Sequence, residues 1–342
     1  MPNPTNSKWY YTSGEQGDCV VSTRVRLARN IKGIPFPARM TPSQKKELCD
    51  SVREAVLGGS MAEQFDFIEM SSLTDTAAAA MVERHLISPQ FAERREGQAL
   101  IIARDESVSI MLCEEDHIRI QVMAAGLDLK SCLDTAQKLD RLLDERLSIA
   151  FDERLGYLTA CPTNLGTGMR ASVMLHLPAL SFAGGIPSVA DAVSKIGLTL
   201  RGSYGEGSRG DGAIWQLSNQ ITLGISEEAA ADNLISIATQ IIEKERRAVA
   251  SADADFLEDR AFRALGTLRY ARSVSRAEFL ELISYLRMGV AAGVLDGVGY
   301  DLINRLLVDT GRACLAESKE GALSDAAVRD RLRAELIREA LA

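Results

Sequence analysis

The chain has 342 residues, 46% of them hydrophobic and 25% charged, and a formal net charge of −8. That length allows one large or two ordinary domains, and the acidic balance argues against a general nucleic-acid binder. No apolar run approaches the roughly 18 residues that span a bilayer, and the opening Met1-Pro2-Asn3-Pro4 lacks the basic start and apolar core of a signal peptide.

Residues 1–20 read as an irregular lead-in. Residues 21–27 read as a strand, which puts Arg24 and Arg26 on the same side because strand side chains repeat every two residues. Two such guanidiniums repel unless an anion lies between them. A helix is expected over 43–58 with Ser43 as its N-cap, then a strand over 65–70. An alanine-rich helix over 74–85 closes at His85, a place that generically suits a cap or packing role. Residues 99–104 and 107–113 read as a hairpin. In the following stretch, taken as extended, Glu115, His117 and Arg119 share one face while Ile118, Ile120 and Val122 share the other.

A long amphipathic helix over 129–150 carries a core stripe of Leu129, Leu133, Ala136, Leu139, Leu143 and Leu147. Cys161 to Arg170 is a polar, glycine-containing turn. Gly166 and Gly168 open backbone conformations closed to other residues, and Thr163, Asn164 and Thr167 can bond exposed amides. The turn presents Arg170 at the start of an apolar strand, 171–177, which suits an anion site. Residues 180–196 read as helical pieces split by Gly184-Gly185 and Pro187. Five glycines between Gly202 and Gly212 suit a loop that closes over a substrate. A helix follows over 226–249. Beyond it only helices are expected, at about 255–271, 275–291, 299–316 and 324–341. The composition shift near Ser251 marks a boundary between a domain over 1–250 and a helical domain over 251–342. The six cysteines (Cys19, Cys49, Cys113, Cys132, Cys161, Cys314) are scattered, which fits free thiols in a reducing cytoplasm and no protein-bound zinc.

Three stretches carry a resemblance. Ser22-Thr23-Arg24-Val25-Arg26, Glu114-Glu115-Asp116-His117-Ile118-Arg119 and Cys161 to Arg170, in that order, closely resemble the motifs of the phosphagen (guanidino) kinases over about residues 20–225. The resemblance implies an α+β catalytic domain, an antiparallel sheet flanked by helices, and phosphoryl transfer from ATP to a guanidino group. It implies nucleotide contacts at Ser22, Thr23, Arg24, Val25, Arg26, His85 and Arg119. It implies further ones at Arg170, Ala171, Ser172, Val173, Met174, Arg201, Gly202, Ser203, Tyr204 and Gly205. Glu115 would be the catalytic base and Glu206 a second clamp on the acceptor. Cys161 would tune the substrate guanidinium as a thiolate, or else be a buried structural thiol.

An arginine cage suits phosphoryl transfer, which needs a triphosphate positioned and its charge neutralised. Mg2+ would be held mainly by the phosphates and water. The mobile loop departs from the family's Arg-Gly-x-Arg-Gly, since Tyr204 stands at its second arginine. Without gaps, the second catalytic glutamate falls on Arg209. The spacing from Arg201 to Glu206 repeats the family's spacing, so a shifted loop restores both groups.

The motif beginning at Ser22 leaves no room for the helical N-terminal domain that encloses small guanidino substrates, and a helical tail is added instead. That arrangement resembles the bacterial protein-arginine kinases. Arg329-Asp330-Arg331-Leu332-Arg333-Ala334 matches their motif for an allosteric phosphoarginine pocket, assigning that role to Arg329, Asp330, Arg333 and Ala334. On a helix Arg329 and Arg333 share a face and can flank one phosphate; the alternative is ordinary charge pairing, as between Asp330 and Arg333. The implied partners are arginine-bearing protein substrates, a Clp protease machinery, a heat-shock repressor and a second copy of the chain. A kinase for a free guanidino metabolite and a non-catalytic phosphoarginine-reading adaptor are the competing readings.

Overall fold

The computed structural model describes residues 8–59, 62–202, 211–318 and 325–342. Five strands come first: β1 (Val20–Arg29), β2 (Phe65–Glu69), β3 (Ala99–Ala103), β4 (Val108–Leu112) and β5 (Ile118–Ala125). A two-strand ribbon of β6 (Phe151–Asp152) and β7 (Gly156–Tyr157) stands apart, followed by β8 (Met169–His176), β9 (Leu198–Gly202) and β10 (Ile214–Asn219). The eight long strands make one sheet in the order β2-β3-β4-β5-β1-β8-β10-β9, with every neighbouring pair antiparallel.

The helices of the first part are α1 (Pro42–Leu57), α2 (Asp75–Glu83), α3 (Pro89–Arg94), α4 (Leu129–Asp144), α5 (Pro178–Phe182), α6 (Ile186–Ser194) and α7 (Glu227–Ala250). The tail adds α8 (Ala254–Tyr270), α9 (Arg276–Ala291), α10 (Tyr300–Asp309), α11 (Arg312–Ser318) and α12 (Ala326–Ala340). The α+β class expected from the sequence is the one found. None of the described helices is long and apolar enough to cross a membrane.

Strand alternation decides the layers. Val25, Leu27, Ile118, Ile120, Ala171, Val173 and Leu175 are fully buried on one face. There they join the inner sides of α1, α4, α6 and α7 in a single apolar core. Each such Val, Leu or Ile side chain stabilises the fold by about 1.5–3 kcal/mol. The opposite face carries the even-numbered, polar positions of β1 and is left for the site.

Arg29 falls on the core side by the same parity and is wholly buried. Its charge is met by a two-pronged contact with Asp140 (2.8 and 2.7 Å) and by Glu227 at 3.0 Å. Its remaining Nη1 donates to the Thr167 carbonyl at 2.9 Å, which fastens the glycine-containing turn to β1.

The helix expected over 129–150 ends at Asp144, so Leu147 packs on the core from beyond it, and two other boundaries also differ from expectation. α1 is capped by Thr41, not Ser43, because Pro42 fills the first helical position and Thr41 closes a capping box with Gln44. The single helix expected over 299–316 is two, α10 and α11. Glu83 of α2 enters the break and accepts from the amides of Ala313 (2.8 Å) and Cys314 (3.0 Å). A side chain at Gly311 would meet that carboxylate at 2.3 Å.

The tail has its own core, with Phe279, Leu286, Ile303, Leu306 and Ile337 at its centre. It is seated on the first part by polar contacts. Buried Arg287 donates to Asn304 Oδ1 (2.8 Å) and to the Gly17 carbonyl, and Asn304 Nδ2 donates to Thr12 O at 2.9 Å.

Candidate active site

The ladder registers gather the arginines. Arg24 on β1 lies between Met123 on β5 and Ser172 on β8; Arg26 lies between Gln121 and Arg170; Arg119 lies opposite Ala28. Arg201 on β9 pairs with Gln216, which pairs in turn with Met174. All of these positions share the face opposite α1, α4, α6 and α7. Arg24, Arg26, His85, Arg119, Met174 and Gln216 line a cleft of about 620 Å³ there.

The cleft is built for negative charge. Arg24 Nη2 donates to Gln216 Oε1 at 3.0 Å, while the buried Arg26 Nε meets no hydrogen-bond acceptor among the described residues. Burial, then the charges of Arg170 and Arg119, pull the Arg24 guanidinium down to about 10. Arg26 is pulled well below its ordinary value by burial and by Arg24, Arg119 and Arg170, against an opposing pull from Glu114. Arg170 is lowered by burial and by Arg201. Buried cations that repel one another lose that penalty when a polyanion enters.

Arg119 is held by two carboxylates. Its Nη1 meets Glu114, which also accepts from Ser88 Oγ, and its Nη2 lies 3.3 Å from Glu115 Oε2. Glu114 is sheltered, whereas Glu115 is half exposed beside the cleft. Of these two carboxylates, Glu115 is the one within reach of an incoming group.

The expected extended stretch from Glu115 to Arg119 is not extended throughout. β5 starts at Ile118, and residues 113–117 bend ahead of it. Asp116 and His117 are wholly buried and turn away from the polar face. Asp116 Oδ1 accepts from Asn30 Nδ2 (2.7 Å) and from the Ala160 amide (2.7 Å). His117 takes the Asn30 side chain and the Ile31 amide as partners at 2.9 Å each. The correction has a consequence: Asp116 ties the loop of Glu115 to the loop of Cys161, next to Ala160. Cys161 is partly exposed, with its Sγ 3.1 Å from Thr163 Oγ1.

The glycine-containing turn is held from below. Gly166 has φ +101 and Gly168 φ +60, and a Cβ at Gly166 would come 2.1 Å from the Thr222 carbonyl. His85, just beyond α2, also has a positive φ of 62. Its carbonyl accepts from Gln121 Nε2 at 2.8 Å. Burial, Arg24 and Arg276 hold its imidazole down at about 4, so the ring is neutral near pH 7.

Several expected nucleotide residues do not face the cleft. Thr23, Val25, Ala171 and Val173 are wholly buried. Val25, Ala171 and Val173 sit in the helix-side core, because strand alternation turns every second side chain away. Thr23 Oγ1 donates to Gly126 O at 2.6 Å and accepts from the Asp128 amide at 3.2 Å. Ser22, Ser172 and Met174 keep the open-face register, with Ser22 lining the recess beside His85, whereas Gly202 stands opposite Trp215 in the helix-side register of Leu175. Ser203, Tyr204, Gly205 and Glu206 lie outside the described residues.

In the tail motif, Arg333 is buried and engaged. Nε donates to Thr310 O (3.0 Å), and Nη1 to Val274 O (2.8 Å) and Asp330 Oδ1 (2.6 Å). Ala334 is core. Arg333 and Arg329 thus do not form a matched exposed pair; the Asp330–Arg333 charge pair is present, but sheltered.

Gln121, Gln216 and Arg276 line the cleft without having been singled out from sequence. The first two follow from strand parity once the arginines are placed. Arg276 has no linear signal, since it arrives from the tail.

The comparisons with known proteins bear on this geometry. The family model for the C-terminal catalytic domain of ATP:guanido phosphotransferases matches residues 47–248. The chain belongs to the ATP:guanido phosphotransferase family. A second family model, the protein-arginine kinase McsB C-terminal domain, matches residues 254–342.

Among curated relatives, the protein-arginine kinase of Desulforamulus reducens is 43% identical over 98% of this chain and 95% of its own. That of Brevibacillus brevis is 44% identical over 100% of this chain and 96% of its own. The crystal structure of a lombricine kinase shares the fold, with TM-score 0.62 and 24% identity over 74% of this chain and 75% of that one. A duplicated taurocyamine kinase from Schistosoma mansoni, also at TM-score 0.62 and 25% identical, covers 75% of this chain and 39% of that one.

Proposed function

We propose that the chain transfers the γ-phosphoryl group of MgATP to the guanidinium of arginine residues in proteins. The observation that carries this reading is the cluster of Arg24, Arg26, Arg119 and Arg170 on one sheet face, three of them depressed by burial and mutual repulsion. Those arginines would hold the phosphates. Mg2+ would arrive on them as part of the substrate. A substrate arginine, whose pKa is roughly 12.5–13.8, attacks poorly while fully protonated. Glu115 would orient the guanidinium fork and take one proton from it. One guanidinium nitrogen then bonds to the γ-phosphorus as the bond from phosphorus to the ADP oxygen breaks.

Cys161, tied to the same place through Asp116, would lie against the acceptor, with Arg201 and Glu206 completing the clamp. A protein acceptor is supported by the tail model and by the names of the full-length relatives. A domain boundary near residue 251 fits the gap between the two matched ranges. Delivery of substrates to a Clp-type protease, action on a heat-shock repressor, a phosphoarginine pocket around Arg329, a homodimer and a cytoplasmic setting complete the proposal. They rest on family resemblance.

The test is Glu115→Gln. The variant should bind MgATP as the wild type does and transfer no label to protein. Retained transfer would remove Glu115 from the role of base.

A further inference from the structure

The cleft has a wall that the sheet does not supply. α9 contributes Arg276 and Leu280, and α10 contributes Leu307 and Val308. A smaller recess of about 70 Å³ shares these four residues, with His85 and Met174, but is not lined by Arg26 or Arg119. The cleft therefore has a cationic end at Arg26 and Arg119 and a more apolar end under the tail, which also carries the carboxylates Glu83 and Asp211. Arg276 and His85 belong to both.

Arg276 is aimed. Its Nη1 donates to Thr310 Oγ1 at 2.7 Å and its Nη2 to Leu307 O at 2.9 Å. Both acceptors are neutral, so the charge is not cancelled by these bonds, and a guanidinium has five donors to offer. Its charge is felt at His85 inside the cleft. Thr310 is fixed in turn: it is wholly buried, its hydroxyl donates to Leu306 O at 2.6 Å, and its carbonyl accepts from Arg333 Nε.

We propose that Arg276 is a nucleotide-binding residue supplied by the tail, contacting the phosphate nearest the nucleoside, with Thr310 positioning it. The proposal rests on the cleft being the ATP site. A nucleoside ring belongs at the apolar end, between Leu280, Leu307 and Met174, and the reacting phosphate belongs beside Arg119 and Glu115. The phosphate next to the nucleoside then falls between the two ends, where Arg276 stands. The tail completes the catalytic site on this reading. The rival role is structural: Arg276 closes the last turn of α10 through the Leu307 carbonyl.

The experiment titrates adenosine, AMP and MgATP against the full-length wild type, Arg276→Gln, Arg276→Lys and Thr310→Val, with a thermal melt of each. Arg276→Gln should weaken AMP and MgATP by about tenfold or more and leave adenosine within about twofold. Arg276→Lys and Thr310→Val should show smaller losses with the same phosphate-only pattern. In transfer assays the KM for ATP should rise more than kcat falls. If Arg276→Gln does not fold, the other two variants carry the same test. Unchanged AMP and MgATP affinity with a lowered melting temperature would establish the structural role and overturn the proposal. An equal loss for adenosine would overturn the phosphate contact. Failure of the wild type to bind MgATP would sink the ATP-site reading itself, and this proposal with it.

Discussion

Arg26 on β1 stands directly opposite Arg170 on β8, two guanidiniums paired across one ladder on the same face of the sheet. Like charges in that position destabilise a sheet. Arg24 and Arg119 add to the repulsion at Arg26. The arrangement carries a repulsive cost that a polyanion bound between these groups would remove.

Replacing Arg26 with Gln should therefore separate stability from function. The empty variant should melt no lower than wild type and gain up to about 1 kcal/mol. Its MgATP affinity should fall by about tenfold or more. A lower melting temperature with unchanged MgATP affinity would show that the cluster is not an anion site. Thermal melts with and without MgATP make the comparison.

Thr23 gives the opposite result although it lies in the same five-residue motif. Its hydroxyl is buried on the helix side and bridges Gly126 O and the Asp128 amide. Thr23→Val leaves both unpartnered and should cost about 1–3 kcal/mol in urea unfolding. MgATP affinity measured on the folded variant should be unchanged; a large loss would mean that Thr23 reaches the nucleotide.

Arg333 is a structural tie before it is anything else. Arg333→Ala leaves the carbonyls of Thr310 and Val274 without this donor and Asp330 without its ion pair. Removing one partner of a buried pair should destabilise the chain by about 3 kcal/mol in denaturant unfolding. Wild-type stability in this variant would contradict the buried network.

All three histidines are depressed by burial: His85 to about 4, His176 well below its ordinary value, and His117 lowered. The unfolded chain then binds more protons than the folded one below about pH 6.5, the ordinary histidine value. Stability should be full above that pH and fall as pH drops from 6.5 towards 4, where His85 itself titrates. Melting temperatures across that range check the sign. A melting temperature that rises on acidification through this window would contradict the burial of these rings.

The sheet and its arginines were legible because period-two alternation governs both. Val25 and Leu27 go to the core for the same reason that Arg24 and Arg26 go to the cleft. The same regularity misled at β5, where Glu115 to Arg119 mimics a strand. Only tertiary contacts reveal otherwise, since Asn30 and Ala160, both distant in sequence, pull Asp116 and His117 into a buried bend. The break between α10 and α11 was equally hidden, because the carboxylate that caps α11 comes from Glu83. Arg276 joins the site across more of the chain than any motif spans.

Transfer from γ-labelled MgATP to two acceptors in parallel, free arginine and an arginine-rich unfolded protein, is the most direct measurement. The arginine face with its adjacent Glu115, joined to the tail, predicts label on the protein. A phosphoramidate label should be lost in acid and kept in alkali. Label on free arginine alone, or protein label that survives acid, would contradict a protein-arginine kinase.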